Sequence, residues 1–351
     1  MNQFNKSFLK IVSIAITLCL VTACSNDYDL DNLNETIFVR HKNADMPAYI
    51  KGNASEKVFL ITLHGGPGGL GFDFLGTAFS DIEHKYGVVY FDQRGSGNSQ
   101  GHYSKNELNI DIMAEDVLAL VKVIRHKFGI DSRFFLLGAS WGGTLGTATL
   151  LKNQSDFKGW IEVGGANNPA GLYNLNKEAL TTTANNQIAL GNSIDFWESA
   201  LALVAQVDPI PNVQDGDLLN FKGFEAEIKL VEDGFIDSVE NGIEDNNSFL
   251  VYNRLTRYWN LNQVEDILIY NNGQFTTLDF TSQLSKITIP ALFISGQYDL
   301  RVPIASAQNA YEIIGSEIKS FKIFERSGHS PNFSEPERFA AEVLNFISTH
   351  K

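Results

Sequence analysis

Between residues 58 and 165 the chain alternates short apolar runs with segments whose apolar side chains recur every three or four positions. Val58-Phe59-Leu60-Ile61-Thr62-Leu63, Val88-Val89-Tyr90-Phe91, Phe134-Phe135-Leu136-Leu137 and Trp160-Ile161-Glu162-Val163 each read as a strand buried on both faces. Met113, Val117, Leu120, Val121, Ile124 and Phe128 share one helical face, which predicts a helix over 110–128. Residues 142–151 read as a second helix, of small side chains that can pack tightly on a sheet. Strands alternating with helices predict an α/β domain, a mostly parallel sheet with helices on both faces. From about Asn168 to Thr281 the pattern becomes helical and polar, broken by Asn, Asp and Gly. Alternation resumes with strands at Ile289–Ile294 and Lys319–Phe324 and a last helix over about 335–348. An insertion of this kind predicts a mainly helical cap over the carboxyl edge of the sheet, where parallel sheets bind ligands. The expected divisions are a first core part at 37–167, a cap at 168–283 and a second core part at 284–351.

The amino terminus follows a different pattern. Lys6 and Lys10 precede an apolar run from Ile11 to Ala23, too short to span a bilayer with ease and suited to a signal peptide. The run ends in Val21-Thr22-Ala23-Cys24. Residues 1–24 thus resemble a bacterial lipoprotein signal, with Cys24 as the lipidated first residue of the mature chain. Residues 25–36, polar and acidic, read as a flexible tether. These features imply an exported protein of the cell envelope held to a membrane through lipid. Ser25, where some lipoproteins retained at the inner membrane have Asp, points to the outer membrane. Beyond residue 24 there are 25 basic and 41 acidic residues, a net charge of −16 against −14 for the full chain of 351. That balance argues against nucleic acid as a partner, because phosphate binding needs clustered Lys and Arg. Cys19 and Cys24 are the two cysteines, so the mature chain would have no internal disulfide.

Candidate chemistry centres on Gly138-Ala139-Ser140-Trp141-Gly142, set between an apolar strand and a small-residue helix. A sharp strand-to-helix turn there would expose the Ser140 hydroxyl as a nucleophile. Its base and orienting acid should follow in the order Asp, then His. His329 lies after the last strand, in Ser327-Gly328-His329-Ser330, and Asp299 lies after the preceding strand, in Gly296-Gln297-Tyr298-Asp299. All three then fall on loops at one sheet edge. The oxyanion hole is expected from the N–H groups of Trp141 and of Gly66, with Gly65 as second choice, in the loop His64-Gly65-Gly66-Pro67-Gly68-Gly69. No His-Glu-x-x-His or paired cysteines suggest a metal, and no cofactor is implied.

His64-Gly65-Gly66-Pro67-Gly68, Phe91-Asp92-Gln93-Arg94-Gly95-Ser96-Gly97-Asn98-Ser99 and the Ser140 pentapeptide together resemble the proline iminopeptidases, serine peptidases of the α/β-hydrolase fold. The resemblance spans about 45–165 and 285–350. It implies removal of an N-terminal proline or small apolar residue from a peptide by a metal-free Ser-Asp-His triad. It also implies that cap carboxylates select the free amine of the substrate. The family's Trp-x-x-Trp-Glu segment is missing here, which leaves Glu198, Glu232 and Glu265 as candidates for that role. Arg94 reads as one half of a structural ion pair. Two other functions stay open at this point: a carboxylester hydrolase with the same triad acting on a small ester, and a non-catalytic binding lipoprotein.

Overall fold

A computed structural model describes residues 29–238, 260, 264, 268, 269 and 277–351. Cys24, the rest of the signal-like segment and Glu265 lie outside the described residues. The fold begins with β1 (Leu33–His41) and β2 (Ala44–Gly52), an antiparallel pair in register from Leu33↔Gly52 to His41↔Ala44. Lys42 and Asn43 turn the chain with φ of +41° and +59°, the left-handed pair of a tight hairpin. This corrects one expected boundary. Leu33–Thr36 are strand rather than tether, because β2 offers them a full ladder and Leu33 is buried.

The parallel part follows: β3 (Val58–Leu63), α1 (Thr77–Glu83), β4 (Gly87–Phe91), the short β5 (Gln100–Gly101), α2 (Ile110–Phe128), β6 (Arg133–Ala139), α3 (Trp141–Asn153) and β7 (Phe157–Val163). Among the described residues the cap then contributes α4 (Pro169–Leu190), α5 (Ile194–Gln206) and α6 (Val213–Glu232). The core is completed by β8 (Ala291–Gly296), α7 (Ile304–Ile313), β9 (Lys319–Phe324), the single turn α8 (Pro331–Ser334) and α9 (Pro336–His350). The sheet order is β1-β2-β4-β3-β6-β7-β8-β9, with β5 on β2. β2 runs antiparallel to β4, and every pairing from β4 to β9 along that order is parallel.

The continuous apolar runs are explained by burial on both sides. Phe59, Ile61 and Leu63 pack with α2 and α3, while Val58 and Leu60 face α1 and α9. The same alternation divides Phe134 and Leu136 from Phe135 and Leu137. The cap helices have a smaller core of their own, built on Tyr173, Leu180, Trp197, Leu219 and Leu230, and it rests on Leu300 in the loop after β8.

Charged residues brace the loops beneath the site. Arg94 is fully buried and grips Asp116 with two hydrogen bonds, Nε to Oδ2 at 2.8 Å and Nη2 to Oδ1 at 2.7 Å. Nη1 and Nη2 also donate to the carbonyls of Lys42 and His41, at 3.1 and 2.9 Å. A buried guanidinium is tolerable only with such extensive pairing, and through it Arg94 ties the β1–β2 turn to α2. Asp92 accepts the N–H groups of Gly71 and Asn98 and fixes the loop after β4.

Candidate active site

Ser140 stands between β6 and α3 with φ +54° and ψ −120°, a conformation that costs energy for any residue with a side chain. The surroundings impose it. Ser140 N–H donates to the Val163 carbonyl at 3.1 Å, and the Ser140 carbonyl accepts from Gly143 at 2.9 Å and Ala166 at 3.3 Å. The turn also needs its flanking glycines. A Cβ at Gly142 would lie 1.9 Å from the Leu63 carbonyl oxygen, and one at Gly138 would lie 2.2 Å from that of Gly142. The Ser140 hydroxyl does not cap the helix behind it, and Ser140 lines a cavity of about 350 Å³ under the cap helices.

Asp299 and His329 meet at this edge, with His329 Nδ1 2.8 Å from Asp299 Oδ2. The other oxygen of Asp299 accepts the N–H groups of Arg301 at 3.0 Å and Val302 at 2.8 Å. An acceptor-only carboxylate held this way assigns the proton to Nδ1 and leaves Nε2 as the basic nitrogen. Gly164 makes room for the pair, since a Cβ there would sit 2.9 Å from Asp299 Oδ2. Among the described residues Ser140 Oγ and His329 Nε2 are not hydrogen-bonded to one another. In free hydrolases this contact is often long and tightens with substrate.

Trp141 opens α3, so its N–H belongs to the first turn, where helical donors have no partner within the helix. Its buried indole donates to Gln93 Oε1 at 2.9 Å, and Gln93 Nε2 donates to the His64 carbonyl at 3.0 Å. Gly66 has φ +117° and lines the cavity with Ser140. His64 is fully buried, and desolvation lowers its pKa to about 4, so it is neutral at pH 7 and serves to hold the glycine loop through Gly65 O.

Sequence reasoning missed Glu227. It projects from α6 into the space behind the dyad, where Oε2 accepts His329 N–H and Oε1 accepts Leu300 N–H, both at 3.0 Å. Burial, reinforced by the Asp299 charge, raises its pKa to about 7. Gly328 admits it: a Cβ there would lie 2.5 Å from Glu227 Oε2. A signal was present, because Gly223, Ala226 and Leu230 define the buried stripe of α6 and Glu227 falls within it. The surface candidates fare differently. Glu198 and Glu232 are exposed on α5 and α6, and Glu232 pairs with Lys229 one turn away. Neither lines the Ser140 cavity. Their side chains leave the outer faces of helices whose inner faces form the cap core. A further buried acid, Glu162 on β7, accepts from Asn167 Nδ2 through both oxygens at 2.8 Å, and desolvation raises its pKa to about 8. Among the described residues no cluster of three His, Cys, Asp or Glu side chains could hold a metal ion.

The family model for the alpha/beta hydrolase fold matches residues 58–206. The proline iminopeptidase of Thermoplasma volcanium is 26% identical over 295 residues, 84% of this chain and 90% of the relative. That of Saccharolobus solfataricus is 28% identical over 292 residues, 82% of this chain and 84% of the relative. By fold this chain is an α/β-hydrolase, and in sequence it is similar to proline iminopeptidases over most of its length. The solved structure of a proline iminopeptidase-related protein from Thermus thermophilus superposes on this hydrolase with a TM-score of 0.61 at 20% identity, covering 91% of this chain and 98% of that one. The hydrolase core is therefore shared across most of both chains, and the differences to be explained lie in what surrounds Ser140.

Proposed function

We propose that the protein is an aminopeptidase that removes an N-terminal proline or small apolar residue through an acyl-enzyme on Ser140. The observation that supports it most is Glu227, a half-buried cap carboxylate set against the Asp299–His329 pair in the smaller cavity that it lines with His329. A carboxylate in that position suits the free amine of a substrate whose first carbonyl lies at Ser140. The names of the relatives agree with this reading.

In the proposed cycle His329 Nε2 takes the Ser140 proton as Oγ attacks the carbonyl carbon. Asp299 holds the imidazole in its tautomer and stabilises the imidazolium. The N–H groups of Trp141 and Gly66 receive the oxyanion. As the C–N bond breaks, His329 returns the proton to the leaving amine. Water then attacks the acyl ester with His329 as base, and the freed residue departs from Ser140. The test compares prolyl arylamide with its N-acetyl counterpart. Selective cleavage of the unblocked substrate is expected. Equal rates on both would reject amine recognition, and turnover of short esters alone would assign the site to a carboxylester hydrolase.

The proposal extends to the amino terminus: Cys24 is lipidated and holds the enzyme to the cell envelope, at the outer membrane. The support is the charge, apolar length and terminal cysteine of the signal-like segment. Partition of the expressed protein into detergent phase, lost in Cys24→Ala, is the expected result. Equal partition of the two forms would exclude the anchor.

A further inference from the structure

The loop after β8 does more than supply Asp299. Two residues later, Arg301 is half-buried and lines the cavity that contains Ser140. It also lines a second, smaller cavity of about 130 Å³, together with His329, Glu227 and Phe224. Its backbone N–H holds Asp299 Oδ1 at 3.0 Å, which fixes the start of the side chain relative to the dyad. Among the described residues the guanidinium has one long hydrogen bond, Nε to Asn220 Oδ1 at 3.4 Å. Among the described residues no carboxylate forms an ion pair with it. The contrast with Arg94 is direct, since Arg94 makes four hydrogen bonds, to Asp116 and two carbonyls. A planar cation with unused donors inside a substrate cavity favours an oxyanion presented in its plane. The charge of the whole chain would not draw anions toward this site, so the preference must be local to Arg301.

The chemistry of the leaving group says which anion. Resting on the aminopeptidase reading above, we infer that Arg301 binds a carboxylate on the leaving side of the substrate, so that the enzyme favours short peptides whose second residue ends the chain. The general acid must touch the leaving nitrogen. In a dipeptide a single α-carbon separates that nitrogen from the terminal carboxylate. A cation that recognises this carboxylate must therefore stand within a few ångströms of the His329 ring. Arg301 fits that requirement: it shares a cavity wall with His329 and is anchored to the same aspartate. Asp217 lines the Ser140 cavity as well, on α6 one turn before Asn220, so the wall presents both signs of charge, as a zwitterionic short peptide does.

The experiment uses Pro-Gly, Pro-Gly amide and Pro-Glu amide with the wild-type protein, Arg301→Gln and Arg301→Lys. In the wild type kcat/KM for Pro-Gly should exceed that for Pro-Gly amide on the order of tenfold, mainly through KM, as expected for a charge-assisted pair. Arg301→Gln should bring that ratio close to one, and Arg301→Lys should restore part of it. Pro-Glu amide as good as Pro-Gly would show that Arg301 accepts a side-chain carboxylate too; a poor Pro-Glu amide would confine the site to the chain terminus. Competitive inhibition of p-nitrophenyl acetate turnover by Pro-Gly and its amide reads the same site without peptide cleavage. If prolyl arylamide is not cleaved but Pro-Gly still inhibits better than its amide in an Arg301-dependent way, the aminopeptidase reading fails and the carboxylate site stands. Equal inhibition by acid and amide in the wild type, or an equal effect of Arg301→Gln on both, overturns the site.

Discussion

The Ser140 turn and the cap helices are built on different terms. Around Ser140 the backbone is packed so closely that glycine is required, and buried polar side chains such as Gln93 and His64 have bonded partners. On the cap, α6 leaves Leu218, Phe221, Phe224 and Ile228 exposed, and its core is a small cluster resting on one loop. The first region tolerates little change because its geometry is over-determined. The second can vary its outer surface freely and acts on the chemistry through the few side chains it sends inward. Glu227 is where the two regions meet.

The comparison breaks most visibly at the turn. Ser140→Ala and His329→Ala should each lower turnover on the order of 10⁴-fold or more while thermal unfolding stays close to wild type. Fluorophosphonate labelling of the wild type and its loss in Ser140→Ala checks the assignment directly. A smaller effect is expected from the cap's inward side chain. Glu227→Gln should reduce kcat/KM on prolyl arylamide on the order of 10²-fold. It should affect p-nitrophenyl acetate, which has no amine, much less. An equal loss on both would make Glu227 a support for the His329 loop and nothing more.

Stability provides the next test. An ordinary glutamate titrates near 4.5, whereas buried Glu162 does so near 8. Between those values the folded protein keeps a proton that the unfolded chain has released. Stability therefore falls as pH rises through this window, by about 1.4 kcal/mol per pH unit from this group, and levels off above it. Glu162→Gln should lessen the fall of Tm with pH between about 5 and 8, leaving the share that Glu227 contributes below about pH 7; an unchanged slope would place the titration elsewhere. The smallest effects belong to the cap surface. Glu198→Ala and Glu232→Ala should change kcat/KM less than about twofold and stability by less than about 0.5 kcal/mol.

Much of the core was legible because strands buried on both faces must be apolar throughout. The runs at 58–63, 88–91, 134–137 and 160–163 coincide with β3, β4, β6 and β7. The 110–128 helix was readable from its single apolar face, and its bounds match α2. The β1–β2 hairpin was harder. β1 is an edge strand with exposed alternate positions, so polar residues such as Asn34 and Glu35 look like linker until their partner strand is known. Asp299 and His329 could be named because the ends of strands locate them. Glu227 could not be recognised from chemistry alone, since an acid on a helix usually faces water. Its position on the buried stripe of α6 was the available sign, and its partners lie far away in sequence.

Glu227 also bears on how such enzymes could be rebuilt. One carboxylate from α6 holds the N–H of His329 and the N–H that follows Asp299. Replacing residues 168–283 with the cap of another hydrolase would remove that clamp along with the old specificity. The His329 and Leu300 amides would then need a new acceptor. Cap exchange in this scaffold is thus a transplant with a required graft point: the donor cap must offer a carboxylate at the place of Glu227, or the recipient core will lose its catalytic register before any new substrate is tried.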